Sequence, residues 1–389
     1  MPSVAIVGAG VMGSALAREL ALDGWDVTLV EQEMPGWAGS SSGGESRLIR
    51  WSHGSDRWYT RSAYRARELW RAIDPGLMIE CGLAWFAHRD DGWEAASERA
   101  MREEGIAVER LEPGEAGRLF PSLAGDDLAW VLFEPEAGVL HAGRGVRVLA
   151  EQAREAGARL TRAIAIPDGP RIRLERAAPD AACELGPVLE ADHVVWACGP
   201  WLAKLFPELV QIRVTRQTVV FFATGPEWIG TPGWIDYDRS FYGHGAIEPW
   251  GFKASSDAEG PAAKPGALGD PDADAVRLAR DYVAQRFPAL AANRILRERT
   301  CPYELTADTY FIAASHPEHP SVWLLGGGSG HGFKHAPVMA ERMAAWLRGD
   351  QAPDPRLALG PRSADRSLRT AGVRATPIGR RLPGSAGGS

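Results

Sequence analysis

Residues 4–13 read VAIVGAGVMG, an apolar strand that runs into a glycine-rich turn, and an Ala- and Leu-rich helical stretch follows. The spacing has a physical reason: Gly8 allows the tight turn, Gly10 lets the backbone approach a pyrophosphate, and Gly13 lets the helix pack close to the strand. The helix N-terminus then presents free N–H groups and a positive dipole end to the phosphates. We therefore predict a dinucleotide site; the alternative is a glycine turn without a ligand. The predicted contacts are Gly8, Gly10, Val11, Met12 and Gly13.

A second predicted strand, Asp26 to Val30, ends at Glu31. Glu31 follows Gly13 by eighteen residues, which places its carboxylate where it can accept hydrogen bonds from a ribose diol. An acidic residue there disfavours a 2′-phosphate, so FAD or NAD is favoured over NADP. The first strand, the helix, the second strand and the acidic residue at its end together match the pattern of a dinucleotide-binding unit. This part of the sequence leaves the choice between FAD and NAD open.

The composition is that of an ordinary soluble globular protein. The chain has 389 residues, 45% hydrophobic and 24% charged, which predicts two or three domains. Its net charge of −7 is spread along the chain, so we expect no nucleic-acid partner. Because the first strand begins at residue 4, it leaves no room for a signal peptide before it, and no membrane span is evident. We expect a cytoplasmic protein, monomeric or weakly dimeric, without a membrane partner.

The four cysteines show neither the spacing of a metal site nor the density of a disulfide framework. In a reducing compartment we expect them to be thiols, unless one of them does chemistry. No metal site is predicted. The cysteines are Cys81, Cys183, Cys198 and Cys301.

A Gly- and Ser-rich loop over residues 39–44 is followed by ESRLIR, which ends at Arg50. Small residues let a backbone lie against a planar group, and Arg47 and Arg50 bring fixed positive charge close by. The alternative is a solvated loop with surface arginines. The predicted cofactor contacts of this segment are Gly39, Ser41, Ser42 and Arg47.

The remaining pattern predicts an α/β protein with a Rossmann-like dinucleotide domain and an inserted, mostly antiparallel α+β substrate domain. Helices are predicted over residues 58–73, 271–287 and 335–347, and a long half-exposed strand over 211–223. We expect the first domain to comprise residues 1–82, 138–210 and 300–350. The second comprises residues 83–137 and 211–299. Residues 351–389 are expected to form a largely disordered tail, and residues 176–186 a loop.

Two further segments point to the cofactor. Residues 191–201 read as a buried strand closing on a glycine turn, with Cys198, Gly199 and Trp201 at its end. Another buried strand, residues 321–325, leads into GGGSGHGFK and then a helix. Such a glycine loop supplies backbone N–H groups and a positive dipole end to an anion, or to a group that becomes anionic. The predicted contacts in this loop are Gly328, Gly330, His331, Gly332, Phe333 and Lys334.

Four motifs, GAGVMG, SSSGGESRLIR, CPYELTAD and GGGSGHGFK, occur in this order over residues 1 to about 350. Together they resemble the monomeric sarcosine oxidase and N-methyltryptophan oxidase family, within the D-amino-acid oxidase superfamily. The resemblance implies FAD as cofactor. Cys301 matches the cysteine to which that family attaches its flavin through the 8α-methyl group; the alternative is a buried, unreactive thiol.

The same resemblance implies the catalytic side chains. Arg50 and Lys334 match the pair that binds the substrate carboxylate, and Arg47 matches an arginine close to the flavin ring. Lys253 matches the lysine that promotes the reaction of reduced flavin with oxygen. Tyr242 and Tyr303 match tyrosines that line the substrate cavity.

Two positions depart from the family. Gly43 stands where the family often has a histidine beside the flavin, and Asp257 stands where sarcosine oxidase has a histidine. These departures leave oxidase chemistry plausible but put sarcosine itself in doubt as the substrate.

The expected reaction is oxidation of a C–N bond in a secondary, cyclic or N-methyl amino acid or related amine, giving an imine and hydrogen peroxide. The partners are a carboxylate-bearing amine and molecular oxygen. The main alternative is a flavin dehydrogenase or desaturase that passes electrons to another acceptor. An NAD-linked dehydrogenase, a flavin hydroxylase and a non-catalytic flavoprotein are also compatible with a dinucleotide site.

Overall fold

The computed structural model describes residues 1–177, 186–247 and 249–364. Most of the predicted loop over residues 176–186, and the predicted tail beyond residue 364, lie outside the described residues. None of the described helices has the length and apolar character that crossing a membrane requires.

The described strands, in chain order, are β1 Ser3–Val7, β2 Asp26–Glu31, β3 Ser46–Ile49, β4 Met78–Ile79, β5 Leu83–Ala87, β6 Glu109–Leu111, β7 Trp130–Glu134, β8 Gly138–His141, β9 Arg159–Asp168, β10 Arg171–Arg176, β11 Val188–Leu189, β12 His193–Trp196, β13 Arg213–Phe222, β14 Gly233–Asp236, β15 Phe241–Ile247, β16 Gly251–Ser256, β17 Ile295–Leu305, β18 Ile312–Ser315 and β19 Val322–Gly326. The α-helices are α1 Val11–Leu22, α2 Arg57–Ile73, α3 Trp93–Glu103, α4 Pro113–Ala116, α5 Ala142–Glu155, α6 Leu202–Leu205, α7 Ala273–Arg286 and α8 Ala336–Leu347.

The first sheet has the order β11-β10-β9-β2-β1-β12-β19-β18 and a parallel centre. Strand β1 lies in the middle, where Ile6 is in register with Leu29 of β2 and Val195 of β12. Helix α1 packs against α5 and α8. Because β1 is buried on both faces, its apolar run carries no alternation. The glycine-rich turn therefore lies at the carboxyl edge of the central strands, where α/β folds bind ligands.

The second sheet has the order β17-β13-β16-β15-β14-β5-β7-β6 and is antiparallel except for the β14–β5 pair. Helix α7 packs against it over an aromatic core that includes Trp234, Tyr282 and Phe287. A small third sheet, β3-β8-β4, carries Arg47. These sheets match the predicted α/β class with its mostly antiparallel second part. The expected domain boundary at residue 300 falls inside β17, which is one continuous strand.

Strand β13 differs from its prediction in burial. Its bounds agree with the predicted range within two residues, but it is not half-exposed, since its last six residues are buried. The reason is its position: β13 is paired on both sides, by β16 and β17. Val220 and Phe222 enter the aromatic core, while Val219 and Phe221 pack with Cys301 on the opposite face.

The chain after α8 is packed as far as it is described. Leu357 is buried, and the Arg362 guanidinium donates to Asp308 Oδ1 at 2.9 Å and to Phe311 O at 3.0 Å. Residues 351–364, which the sequence placed in a disordered tail, are thus held against the first sheet. The tail prediction beyond them lies outside the described residues.

Candidate active site

The glycine-rich turn after β1 leaves no room for side chains at two positions. Gly8 has φ +101°, and a Cβ there would lie 2.6 Å from Ala197 O of the neighbouring strand segment. A Cβ on Gly13 would lie 1.9 Å from Gly8 O. Close packing of α1 on the turn therefore requires both glycines, and it brings the N-terminus of α1 to the mouth of a large cavity.

Glu31, at the end of β2, lines this cavity and also holds the turn. Its Oε2 accepts a hydrogen bond from Ala9 N at 2.7 Å, and its Oε1 accepts one from Glu33 N at 2.9 Å. Burial raises the pKa of the carboxyl group, and these backbone donors oppose the rise. The side chain is thus fixed in one position at the wall of the cavity.

The Gly- and Ser-rich loop closes over the same helix terminus. Ser42 Oγ accepts a hydrogen bond from Val11 N at 3.0 Å. Arg47 fixes the backbone of this loop, because its Nη2 donates hydrogen bonds to Ser41 O at 2.7 Å and to Gly43 O at 2.8 Å. A Cβ on Gly43 would lie 2.2 Å from Trp37 O, which gives a steric reason for the departure from histidine at this position.

Most of the predicted cofactor contacts line this cavity, which we call the cofactor cavity. Two of them stand back from it: Gly13 faces the turn, and Gly39 faces the Trp37 ring. Three others, Cys301, His331 and Lys334, line a second cavity instead. The predicted residues that line the cofactor cavity are Gly8, Gly10, Val11, Met12, Glu31, Ser41, Ser42, Arg47, Cys198, Gly199, Trp201, Gly328, Gly330, Gly332 and Phe333.

Glu304 is a lining residue that the sequence reasoning missed. Its Oε1 accepts a hydrogen bond from Gly328 N at 3.1 Å, while burial raises the pKa of the carboxyl group to about 7. Its Oε2 and Ser41 Oγ are buried and have no hydrogen-bond partner among the described residues. Unpaired polar atoms of this kind fit a cavity built to hold a polar ligand such as a dinucleotide. The signal in the sequence that could have identified Glu304 is an acidic residue within the buried end of β17.

The second cavity, which we call the substrate cavity, brings together the side chains predicted to be catalytic. It adjoins the cofactor cavity, because Arg47, Tyr303, Gly330 and Phe333 line both. The predicted catalytic residues that line it are Arg47, Arg50, Tyr242, Lys253, Tyr303 and Lys334, with Cys301 beside them.

Lys253 projects from β16 into this cavity and is only 3% exposed. Burial, and then the charge of Arg47, lower the pKa of the ammonium group to about 7. Its Nζ lies 5.3 Å from the centroid of the Tyr242 ring. Cys301 is also buried, and its Sγ lies 3.5 Å from Arg47 Nη2. A cation and a thiol thus lie close to Arg47, at the boundary between the two cavities.

Lys334 and Arg50 supply positive charge in another part of the substrate cavity. The Lys334 ammonium donates to His331 O at 3.0 Å, and burial together with the Arg50 charge holds its pKa well below the usual value. The Arg50 guanidinium lies 4.9 Å from the Trp85 ring centroid and donates to Ser52 O. Two neighbouring cations in a buried place favour an anionic ligand.

Glu134, which was also not predicted from the sequence, binds the residues that surround Arg50. Its fully buried carboxylate accepts hydrogen bonds from Trp51 N at 2.6 Å, Ser52 Oγ at 2.5 Å and Trp85 Nε1 at 2.7 Å. Burial raises the pKa of this carboxyl group, and the three donors and the Arg50 charge oppose the rise. Glu134 therefore fixes the segment after Arg50 and the ring on which the guanidinium lies.

The two predicted tyrosines form one hydrogen-bonded unit. Tyr242 Oη and Tyr303 Oη are 3.1 Å apart, and Tyr303 Oη donates to Asp257 Oδ1 at 3.4 Å. Asp257, where this chain departs from the family, thus lines the substrate cavity and accepts a hydrogen bond from one of its tyrosines.

Over residues 3–346 the chain matches the sequence profile of the DAO family, described as FAD dependent oxidoreductase. The chain belongs to this family. The match resolves the choice of cofactor in favour of FAD, and it confirms the resemblance seen in the four motifs. The protein is an FAD-dependent oxidoreductase.

Named relatives span nearly the whole chain. The monomeric sarcosine oxidase of Bacillus sp. (strain B-0618) is 27% identical over 360 residues, covering 87% of this chain and 90% of that protein. The N-methyl-L-tryptophan oxidase of Yersinia pestis (strain Pestoides F) is 25% identical over 370 residues, covering 90% of this chain and 95% of that protein.

Solved structures share the fold of this chain. L-proline dehydrogenase from P. horikoshii superimposes with a TM-score of 0.77 at 21% identity, covering 91% of this chain and 95% of that one. NikD, described as an unusual amino acid oxidase essential for nikkomycin biosynthesis, gives a TM-score of 0.74 at 21% identity, covering 92% and 98%. These likenesses confirm the predicted α/β architecture.

Proposed function

We propose that this oxidoreductase oxidises the C–N bond of a secondary, cyclic or N-methyl amino acid and produces an imine and hydrogen peroxide. One observation carries the proposal: a single cavity beside the cofactor cavity is lined by two basic side chains suited to a carboxylate, the partly buried Arg50 and the buried Lys334, and by a third, Lys253. The names of the relatives, a sarcosine oxidase and an N-methyl-L-tryptophan oxidase, support an N-substituted amino acid. In this proposal the first sheet carries the cofactor and the second carries the substrate.

Arg50 and Lys334 bind the substrate carboxylate. The guanidinium presents a planar fork that matches a carboxylate, and the Lys334 ammonium adds a point charge. Both side chains are held before substrate arrives, Arg50 by Ser52 O and the Trp85 ring, and Lys334 by His331 O. This arrangement reduces the ordering cost of binding.

The substrate nitrogen lies toward the boundary of the two cavities. Burial beside cations disfavours an ammonium group, so the pocket selects the neutral amine, whose lone pair assists cleavage of the adjacent C–H bond. The Tyr242 and Tyr303 hydroxyls orient the amine. When bound, FAD supplies the acceptor for the two electrons that leave the C–N unit.

Two parts of the chain stabilise the negative charge that develops. Gly328, Gly330 and Gly332, in the loop before α8, line the cofactor cavity, and the positive end of the α8 dipole favours negative charge that arrives there. Lys253, when protonated, stabilises the charge that forms as oxygen gains electrons. Because its pKa is about 7, the protonated fraction of Lys253, and with it this stabilisation, decreases as the pH rises through neutrality.

We also propose that Cys301 attaches the flavin. Cys301 would hold the flavin through a thioether to its 8α-methyl carbon; the thiol proton and one methyl hydrogen would be lost, and molecular oxygen would accept the two electrons. The position of the thiol supports this, since Cys301 Sγ lies 3.5 Å from Arg47 Nη2, and Arg47 lines both cavities.

The decisive experiment is a peroxide and oxygen-consumption assay with N-methyl, cyclic and primary amino acids, each paired with the same amine lacking its carboxylate. We expect turnover of carboxylate-bearing amines and little turnover of their partners. Equal rates with and without the carboxylate would remove Arg50 and Lys334 from the binding role. Turnover with an artificial dye under anaerobic conditions, without peroxide under air, would favour the dehydrogenase alternative.

A further inference from the structure

Three histidines from distant parts of the chain meet beside the substrate cavity. His53 follows β3, His331 lies in the second glycine loop, and His335 directly precedes α8. One ring nitrogen of each lies within 4.8 Å of the others. His53 and His335 are buried, with exposures of 1% and 0%. We call these three residues the histidine cluster.

The hydrogen bonds behind two of the rings determine their tautomers. His53 Nδ1 lies 3.0 Å from Trp51 O, and His331 Nε2 lies 3.0 Å from Thr309 O. A carbonyl oxygen can only accept, so these nitrogens carry the hydrogen. In the neutral rings the opposite nitrogens, His53 Nε2 and His331 Nδ1, therefore carry lone pairs. Each of these rings contributes one nitrogen to the set that lies within 4.8 Å of one another.

The third ring completes the pattern. His335 Nδ1 lies 2.9 Å from Ser62 Oγ, which can accept its hydrogen and leave a lone pair on Nε2. The Nε2 atoms of His53 and His335 are buried and have no hydrogen-bond partner among the described residues. Leaving such atoms unsatisfied costs about 1–3 kcal/mol each. A central electron-pair acceptor would satisfy them together.

We propose that the histidine cluster binds one divalent transition-metal ion of the Zn²⁺ class through three imidazole nitrogens. Imidazole suits Zn²⁺, Ni²⁺ and Cu²⁺ better than Mg²⁺ or Ca²⁺, which prefer oxygen ligands. Each ring has the outer hydrogen bond, to a carbonyl or a hydroxyl, that orients metal-bound histidines. His53 and His331 also line the substrate cavity, so the fourth coordination position opens toward it.

Nearby charges set the strength of binding. Arg50 and Lys334 act on His53 and His335 and oppose a further cation. We therefore expect weaker binding than in a structural zinc site. The sequence predicted no metal site because His53 is far along the chain from His331 and His335, which are four residues apart.

The test is equilibrium dialysis of the purified, flavin-containing protein against ZnCl₂ after chelator treatment, followed by elemental analysis. We expect about one zinc per chain in the wild type, as in a single three-ligand site. The variants His53→Gln, His331→Gln and His335→Gln should each lose it. Ser62→Ala, which removes only an outer hydrogen bond, should weaken binding by about tenfold.

A matched control is the double variant His316→Ala, His319→Ala, which removes a stacked pair of partly exposed histidines elsewhere. We expect it to retain the zinc. Absence of zinc from the wild type, or its loss in this control alone, would overturn the proposal, as would normal binding by the glutamine variants. Flavin absorbance and the melting temperature show whether a variant has misfolded. If the His53 and His335 variants misfold, zinc binding by His331→Gln decides the test, because His331 is the least buried of the three. The measurement needs no turnover, so its outcome is independent of the proposed function.

Discussion

The charge on Lys253 should control the reaction of the reduced enzyme with oxygen. With a pKa of about 7, the side chain is protonated in about 90% of molecules at pH 6, about 10% at pH 8 and about 1% at pH 9. The sign follows from the lowered pKa: the cation is present below it and is lost as the pH rises through it. We expect the second-order rate constant for oxygen to fall about tenfold per pH unit above pH 7.

The substitution Lys253→Met keeps the length of the side chain and removes the charge. Loss of one preorganised electrostatic group costs about 100- to 1,000-fold in rate, so the variant should react with oxygen that much more slowly at pH 6. At pH 9 the wild type has lost most of its cation, and the two rates should approach each other. Anaerobic reduction by substrate should change little.

Stopped-flow mixing of substrate-reduced enzyme with oxygenated buffer, followed by flavin absorbance from pH 6 to pH 9, measures both effects. Lys253→Arg remains charged throughout and should give a flat profile. Lys264→Met, at an exposed position, serves as the control for loss of a lysine. A flat wild-type profile, or equal oxygen rates for wild type and Lys253→Met at pH 6, would refute the reasoning.

Three further substitutions test the rest of the site. Arg50→Lys loses the planar fork and should raise the KM for a carboxylate-bearing amine by about 10- to 100-fold, with little change in KM for an analogue lacking the carboxylate. Cys301→Ser should give a colourless acid precipitate where the wild type gives a yellow one; a yellow precipitate from the variant would exclude attachment at Cys301. For Glu304, the raised pKa means that stability is lost as the pH rises from 4.5 through about 7, so Glu304→Gln should remove up to ~3 kcal/mol of that loss. The measurement is denaturant unfolding at pH 5 and pH 8, with and without Glu304→Gln, in the Cys301→Ser background after removal of the flavin. If the difference in the free energy of unfolding between pH 5 and pH 8 is the same with and without Glu304→Gln, the Glu304 carboxyl group ionises normally.

Local features of this chain could be predicted from sequence because they depend on near neighbours. The turn at Gly8 and the packing of Gly13 follow from residues within one strand-turn-helix unit. Helices α2, α7 and α8 begin and end within two residues of their predicted bounds, since apolar periodicity is a local pattern. The order of the motifs was also sufficient to identify the family.

Features that depend on distant contacts were missed. Glu134 reads as a polar strand end, and only the fold brings it to Trp51 and Ser52, more than eighty residues earlier. Strand β13 reads as half-exposed because alternation does not reveal that its outer face is covered by Cys301 and its neighbours. The histidine cluster escaped notice for the same reason, as its members share no local spacing.

Arg47 shows how the two cavities are coupled. Its guanidinium donates to three backbone carbonyls, Ser41 O, Gly43 O and Ser46 O, so carbonyl dipoles, which carry no net charge, hold it in place. The positive charge is therefore not neutralised by these partners, and it acts on Lys253, whose pKa it helps to lower. The same contacts order the loop that closes over the N-terminus of α1. The residue that shapes the cofactor cavity thus also acts, after burial, to lower the pH range in which Lys253 carries its charge, because one fixed cation lies at the boundary of both cavities.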